Sequence, residues 1–286
     1  MFQVVIDLYS GTGTCGVRKG DVMDRVYSQR IFIVAFSVLA VLLVLCFVTP
    51  QEANAATTLK GKTVLVEGDS IQAEYGTFLT TACKSLNAKK VDNRAVCGAT
   101  LALRKSRNSV YTRIMEMSDS SIAKYDYIFI AAGTNDFGNY KLHGRCDLGD
   151  VESTDPTTTC GALRGIIERI QSISPKTKII VSPPIRRYHG WKDNNYTSRV
   201  FVDCDKLVNT YGYTLKDYVY RIKATAGTYK NVYTLDEKKL TSKAEMRNKV
   251  YTGDYCHPRT SFAKKKVAVR AKNQIVKIIP KKVIAL

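Results

Sequence analysis

The chain has 286 residues, enough for one large domain or two small ones, and 45% of them are apolar, a globular proportion that excludes wholesale disorder. Its formal net charge of +19 favours anionic surroundings: cell-wall polymers, anionic lipid head groups or acidic polysaccharides. Nucleic acid, the other usual partner of a basic chain, is set aside because the sequence reads as exported and its lysines are scattered.

That reading starts at the N-terminus. Arg25 and Arg30 precede an uncharged apolar run over 31–48, and Ala53-Asn54-Ala55 follows. A positive flank, an apolar stretch and an Ala-x-Ala site together form a secretory signal. The run is also long enough to span a bilayer, so two outcomes are open: cleavage after Ala55, or an uncleaved anchor with the remainder outside. Met23, just before Asp24-Arg25, is a second candidate initiator. Charges within 1–55 cancel, so the whole positive excess belongs to residues 56–286, which are expected to form one domain.

After Ala55 short β-rich runs alternate with helical stretches. Thr63–Glu67 is a strand, 71–86 a helix, Lys90–Ala95 a second strand, and 111–124 has helical spacing at Ile114, Met117 and Ile122. Tyr125–Ala132 reads as a buried strand ended by Gly133, and 137–159 is a polar insertion without periodicity. Leu163–Ile173 is an amphipathic helix, Lys178–Ser182 a strand stopped by Pro183-Pro184, and 197–224 a long helix with Gly212 as a possible break. Asn231–Leu235 gives the last strand and Ser261–Ile279 the last helix. Such alternation predicts an α/β fold with a parallel sheet of about five strands and helices on both faces.

Ligands of parallel α/β sheets meet the carboxyl ends of the strands. Three polar clusters fall at or near such ends: Gly68-Asp69-Ser70, Gly133-Thr134-Asn135-Asp136 and Asp254-Tyr255-Cys256-His257. Ser70 stands where a strand turns into a helix, a place that displays a nucleophile and equally suits a plain N-cap. His257 supplies an imidazole base, with Asp254 three residues earlier to orient it. His143 and His189, the other histidines, have no Asp at this spacing. Asn135 offers an amide N–H to a developing oxyanion, or simply caps a turn.

Each cluster alone is weak, but in order and spacing they resemble the SGNH (GDSL-like) hydrolase family. Asn93-Arg-Ala-Val-Cys-Gly98 looks like the family's remaining block, and the resemblance runs from about Val64 to Thr260. It implies a three-layer α/β/α sandwich around a five-stranded parallel sheet, flavodoxin-like in plan. It further implies a triad of Ser70, His257 and Asp254, and oxyanion donors from the backbone of Ser70 and Gly98 and the side chain of Asn135. The implied reaction is ester hydrolysis through an acyl-enzyme, with no metal or organic cofactor. Ile71 stands where the family often has Leu.

The family spans sugar deacetylases, lipases, thioesterases and acyltransferases, so fold and triad do not choose a substrate. Export and charge favour an acylated extracellular carbohydrate over a lipid, with association to an anionic wall polymer or membrane surface. Arg187, Tyr188 and Trp191, in a loop after a strand, are candidate substrate contacts. An extracellular lipase, an O-acyltransferase and a non-catalytic wall-binding module remain alternatives.

Cys15 and Cys46 belong to the leader, which leaves Cys83, Cys97, Cys146, Cys160, Cys204 and Cys256. An even number in an oxidising compartment suggests disulfides, here Cys146–Cys160, Cys83–Cys97 and Cys204–Cys256. The alternative is six free thiols. No spacing suits structural zinc.

Overall fold

The computed structural model describes residues 59–75, 77–104, 108–138, 144–192 and 199–279. The expected signal, the Ala55 site and His143 lie outside them. Among the described residues the strands are β1 (Thr63–Gly68), β2 (Lys90–Asn93), β3 (Tyr127–Ala131), β4 (Lys178–Val181), β5 (Tyr188–Lys192), β6 (Arg199–Asp203) and β7 (Val232–Thr234). Five of them form one parallel sheet in the order β2-β1-β3-β4-β7. β1 and β3 pair from Val64 opposite Tyr127 to Gly68 opposite Ala131, so their carboxyl ends finish level.

The sheet is buried on both sides, as its apolar sequences require; every residue of β3 is buried. Side chains alternate between faces. Val64, Val66, Phe129, Ala131 and Ile180 pack on one face against α1 (Phe78–Ser85) and, after α2 (Thr159–Ile173) and α3 (Leu215–Gly227), against α4 (Ala268–Ile278). Leu65, Ile128, Ile130, Ile179 and Val181 pack on the other, against α2 and α3. This is the three-layer α/β/α sandwich that the pattern predicts. Strand order reverses between β1 and β3, which makes their carboxyl ends the crevice where such folds bind ligands.

Several elements differ from expectation. The helix over 71–86 is split into a π-turn, Ile71–Tyr75, and α1, with Thr77 between them at φ 42°. The 111–124 segment is two short helices, Val110–Met115 and Asp119–Ala123, because Ser118 caps a new start by accepting from the Ser121 N–H. The long helix over 197–224 is overturned. Arg199-Val-Phe-Val-Asp203 pairs antiparallel with β5, and the helix begins only at Leu215. Gly212, at φ 86°, ends the intervening turn, and a capping box of Thr214 and Asp217 starts α3 afresh. Among described residues 144–158 there is neither helix nor strand.

The expected disulfides are absent, and all six cysteines are free. Cys83 is buried in the core with α1 and α4, whereas Cys97 is exposed on the loop after β2. Cys146 packs with Ala102 and Ala162, while Cys160 belongs to a separate cluster with Phe137, Leu148 and Tyr218. Cys204 is hydrogen-bonded to Arg187 rather than bonded to Cys256.

Candidate active site

β1 ends in Gly68 because nothing larger fits: a Cβ there would lie 2.6 Å from the Ala131 carbonyl oxygen of β3. Asp69 extends the ladder by donating its N–H to that oxygen at 3.3 Å. Its own carbonyl then accepts from the N–H groups of Gln72 and Ala73, both at 3.0 Å, and the chain turns sharply at Ser70. The Ser70 hydroxyl is nearly buried and lies 2.8 Å from His257 Nε2. The Asp69 carboxyl accepts from the Ile71 N–H at 3.0 Å, and burial lifts its pKa to about 7.

His257 arrives on a tight loop. The N–H of Arg259 donates to the Tyr251 carbonyl at 2.7 Å, and Thr252 bridges to Pro258. Tyr255 sits at φ 64°, a conformation L-residues seldom adopt, and this kink turns Asp254 back on His257. His257 Nδ1 is 2.5 Å from Asp254 Oδ2, and Asp254 Oδ1 accepts from the N–H groups of Cys256 at 3.0 Å and His257 at 2.7 Å. Burial raises the Asp254 pKa, but the His257 ring, these N–H donors and the His257 charge together outweigh it and hold the group at about 2. With Nδ1–H donated to this carboxylate, Nε2 presents a lone pair to the Ser70 hydroxyl. A serine, an imidazole and a carboxylate so linked can pass a proton off oxygen and return it.

Beside this line, loops after three neighbouring strands are stitched together. Val96 N–H donates to the Gly68 carbonyl at 3.1 Å, and Gly98 turns the next loop at φ 73°. Asn135, one residue into the turn after β3, donates an Nδ2 hydrogen to the Ala99 carbonyl at 2.9 Å. Its neighbour Asp136 is fully buried and accepts from the N–H groups of Leu101 at 2.8 Å and Ala102 at 2.9 Å. Asn135 and the Gly98 loop are thereby fixed to each other. Arg145, from the polar insertion, reaches both, at 3.5 Å from the Gly98 carbonyl and from Asn135 Oδ1.

A model of the GDSL-like lipase/acylhydrolase family matches residues 66–261, which include every element of this arrangement. The chain belongs to that family. No curated protein sequence matches it. Solved structures match in fold. One crystal structure, 21% identical with a TM-score of 0.63, covers 78% of this chain and 100% of its own. A protein from Lactobacillus plantarum (22% identical, TM-score 0.55) covers 75% of this chain and 95% of its own. A possible lipase from Chitinophaga pinensis (18%, TM-score 0.51) covers 76% and 98%.

In this GDSL-like chain two of the three candidate substrate contacts after β4, Arg187 and Tyr188, are buried. Arg187 is buried, and its guanidinium donates to the Thr134 carbonyl and hydroxyl at 3.1 and 3.0 Å and to the Gly138 carbonyl at 3.2 Å. It also lies over the Phe137 ring. Arg187 therefore clamps the turn that carries Asn135. Tyr188 is buried in the hairpin strand β5, with the Arg247 guanidinium over its ring. The backbone of Trp191 is in β5 too, and its side chain lies outside the description. Sequence reasoning missed the anchoring parts played by Asp136, Arg145 and Arg187. For Asp136 a signal existed, since an acid in an apolar strand-end context must find donors.

Proposed function

We propose that the protein is an exported serine esterase that removes O-acetyl or other short acyl groups from an extracellular carbohydrate. One observation carries the catalytic part: Ser70 Oγ, His257 and Asp254 form a continuous hydrogen-bonded line at the carboxyl edge of the sheet. In this reading His257 Nε2 takes the Ser70 proton as Oγ attacks the ester carbonyl. The oxyanion is held by the backbone N–H groups of Ser70 and Gly98 and by the remaining Nδ2 hydrogen of Asn135. His257 then gives the proton to the departing alcohol. Water, deprotonated by the same ring, attacks the acyl-enzyme, and collapse of the second tetrahedral intermediate frees the acid and Ser70.

Carbohydrate is favoured over lipid by the positive charge of 56–286, and by large exposed apolar residues such as Val208, Tyr220 and Val269 that belong to separate elements. Export rests on the 31–48 run and the Ala53-Asn54-Ala55 site.

The test is hydrolysis of p-nitrophenyl acetate against longer-chain p-nitrophenyl esters, beside a Ser70→Ala control. Activity that vanishes in the control and falls with chain length is expected. A folded wild type no more active than the control on any ester would refute the esterase, and a preference for long chains would refute the short-acyl substrate.

A further inference from the structure

A second recess opens on the same edge of the sheet, beyond β4. It holds about 350 Å³, and Pro184, Leu215 and Val219 supply its apolar walls. Pro184 follows the end of β4 by three residues, and its ring lies 3.1 Å from where a Cβ of Gly133 would be, so the recess adjoins the turn that carries Asn135. Its floor and rim are cationic.

Arg186, Lys206, Lys216, Lys238 and Lys243 line it. Lys243 is committed to Asp203 at 2.7 Å. The other four have no ion-pair partner among the described residues. Two acids share the recess. Glu237 is taken by Lys223 at 2.8 Å, which leaves Asp205 as the acid facing four unpaired cations. Burial, with the neighbouring Asp203 carboxylate, pushes the Asp205 carboxyl above its ordinary pKa. Exposed lysines alone would be a solvated surface. Arg186 is different, because its Nε is withdrawn from solvent, which holds the side chain against the wall of the recess rather than free in water. A guanidinium held in place offers a carboxylate two parallel N–H donors.

We propose that this recess is an anion subsite that holds a carboxylate-bearing residue of an acidic oligosaccharide, with Arg186 as its fixed donor and Lys206, Lys216 and Lys238 as its field. The recess lies two to three strand spacings from β1, about 10–14 Å, so one bound chain would present its ester to Ser70 while its acidic residue sits here. A concave site with apolar walls suits a compact ionised group on a sugar better than a flat array of lipid head groups. The inference adds to the esterase reading a specificity for acidic glycans, and it is tested by binding alone, so the two can fail separately.

The measurement is isothermal titration of the full chain carrying Ser70→Ala with a hexameric oligogalacturonide, a neutral maltohexaose and vesicles of anionic lipid. Expected is binding of the carboxylated oligomer alone, weakened at least tenfold by Arg186→Gln and by the charge reversal Lys216→Glu. Lys216 is exposed, so that variant keeps the fold even if Arg186→Gln does not. Unchanged affinity in a folded Lys216→Glu variant, equal binding of the neutral oligomer, no binding of either, or capture by the vesicles in place of the oligomer would each overturn the subsite. No p-nitrophenyl acetate hydrolysis by the wild-type chain, with binding intact, would instead count against the esterase.

Discussion

His257 is oriented by a carboxylate that stays ionised far into acid. The folded pKa of Asp254, about 2, lies below its ordinary 3.8, so its stabilising interactions are complete above pH 4 and are lost only as pH falls toward 2. Asp69, next to Ser70, behaves in the opposite sense. Folded, it keeps its proton up to about pH 7, whereas unfolded it releases it near 3.8. Between those values the folded state binds more protons, so stability falls as pH rises, by a few kcal/mol in all. Asp69→Asn keeps the acceptor for the Ile71 N–H and removes the titration. Its melting temperature, followed from pH 4 to 8, should lack the decline that the wild type shows; parallel curves would refute a neutral Asp69. Asn135→Ala removes the proposed oxyanion donor and should lower kcat about 10²–10³-fold. A loss below threefold in steady-state assays would remove Asn135 from the mechanism.

At the scale of elements, the chemistry depends on loops held by buried polar side chains. Arg187 gives three hydrogen bonds to the Thr134–Gly138 turn, and charged donors of this kind contribute about 1.5–3 kcal/mol each where buried. Arg187→Met keeps the bulk and loses the clamp. Because the variant also removes the desolvation cost of a buried cation, the net loss of stability should be roughly 2–4 kcal/mol, and kcat should fall more than KM changes, since Asn135 is then poorly placed. A kcat equal to wild type in a destabilised variant would show that the clamp serves the fold alone. The strands were legible because burial on two faces demands continuous apolar runs, and Tyr127–Ala131 has one. The hydrogen-bonded line was legible because its members are stated locally, Ser70 in the Gly68-Asp69-Ser70 turn after β1 and Asp254 three residues before His257. Arg187 was not, because an arginine beside aromatics reads the same in a clamp as on a surface. What decides is Thr134 and Gly138, about fifty residues away. The 197–224 helix failed for a related reason. Leu207 and Val208 sustain a helical pattern across Gly212, while the pairing that makes 199–203 a strand comes from β5.

Over the whole molecule, stability comes from two apolar layers either side of the sheet and needs no covalent link between them. Cys83, Cys146, Cys160 and Cys204 lie buried within these layers and their satellites. Burial pushes Cys83 up to about 12 and both Cys204 and Cys256 up to about 11, and burial together with the Glu74 carboxylate does the same for Cys97. A thiol so far above neutral pH is almost wholly protonated, and it is the thiolate that oxidises, exchanges or alkylates. These four thiols, and Cys146 and Cys160, which sit buried in separate clusters, are therefore expected to persist even in an oxidising compartment. Two measurements check this. Reductant should leave both the melting temperature and the rate of ester hydrolysis unchanged. Iodoacetamide applied to the native protein should modify the exposed Cys97 first, and applied after unfolding without reductant it should modify all six, read peptide by peptide by mass spectrometry. A linked pair of cysteine peptides, or a fall in melting temperature with reductant, would show that export couples thiols that the fold itself keeps apart.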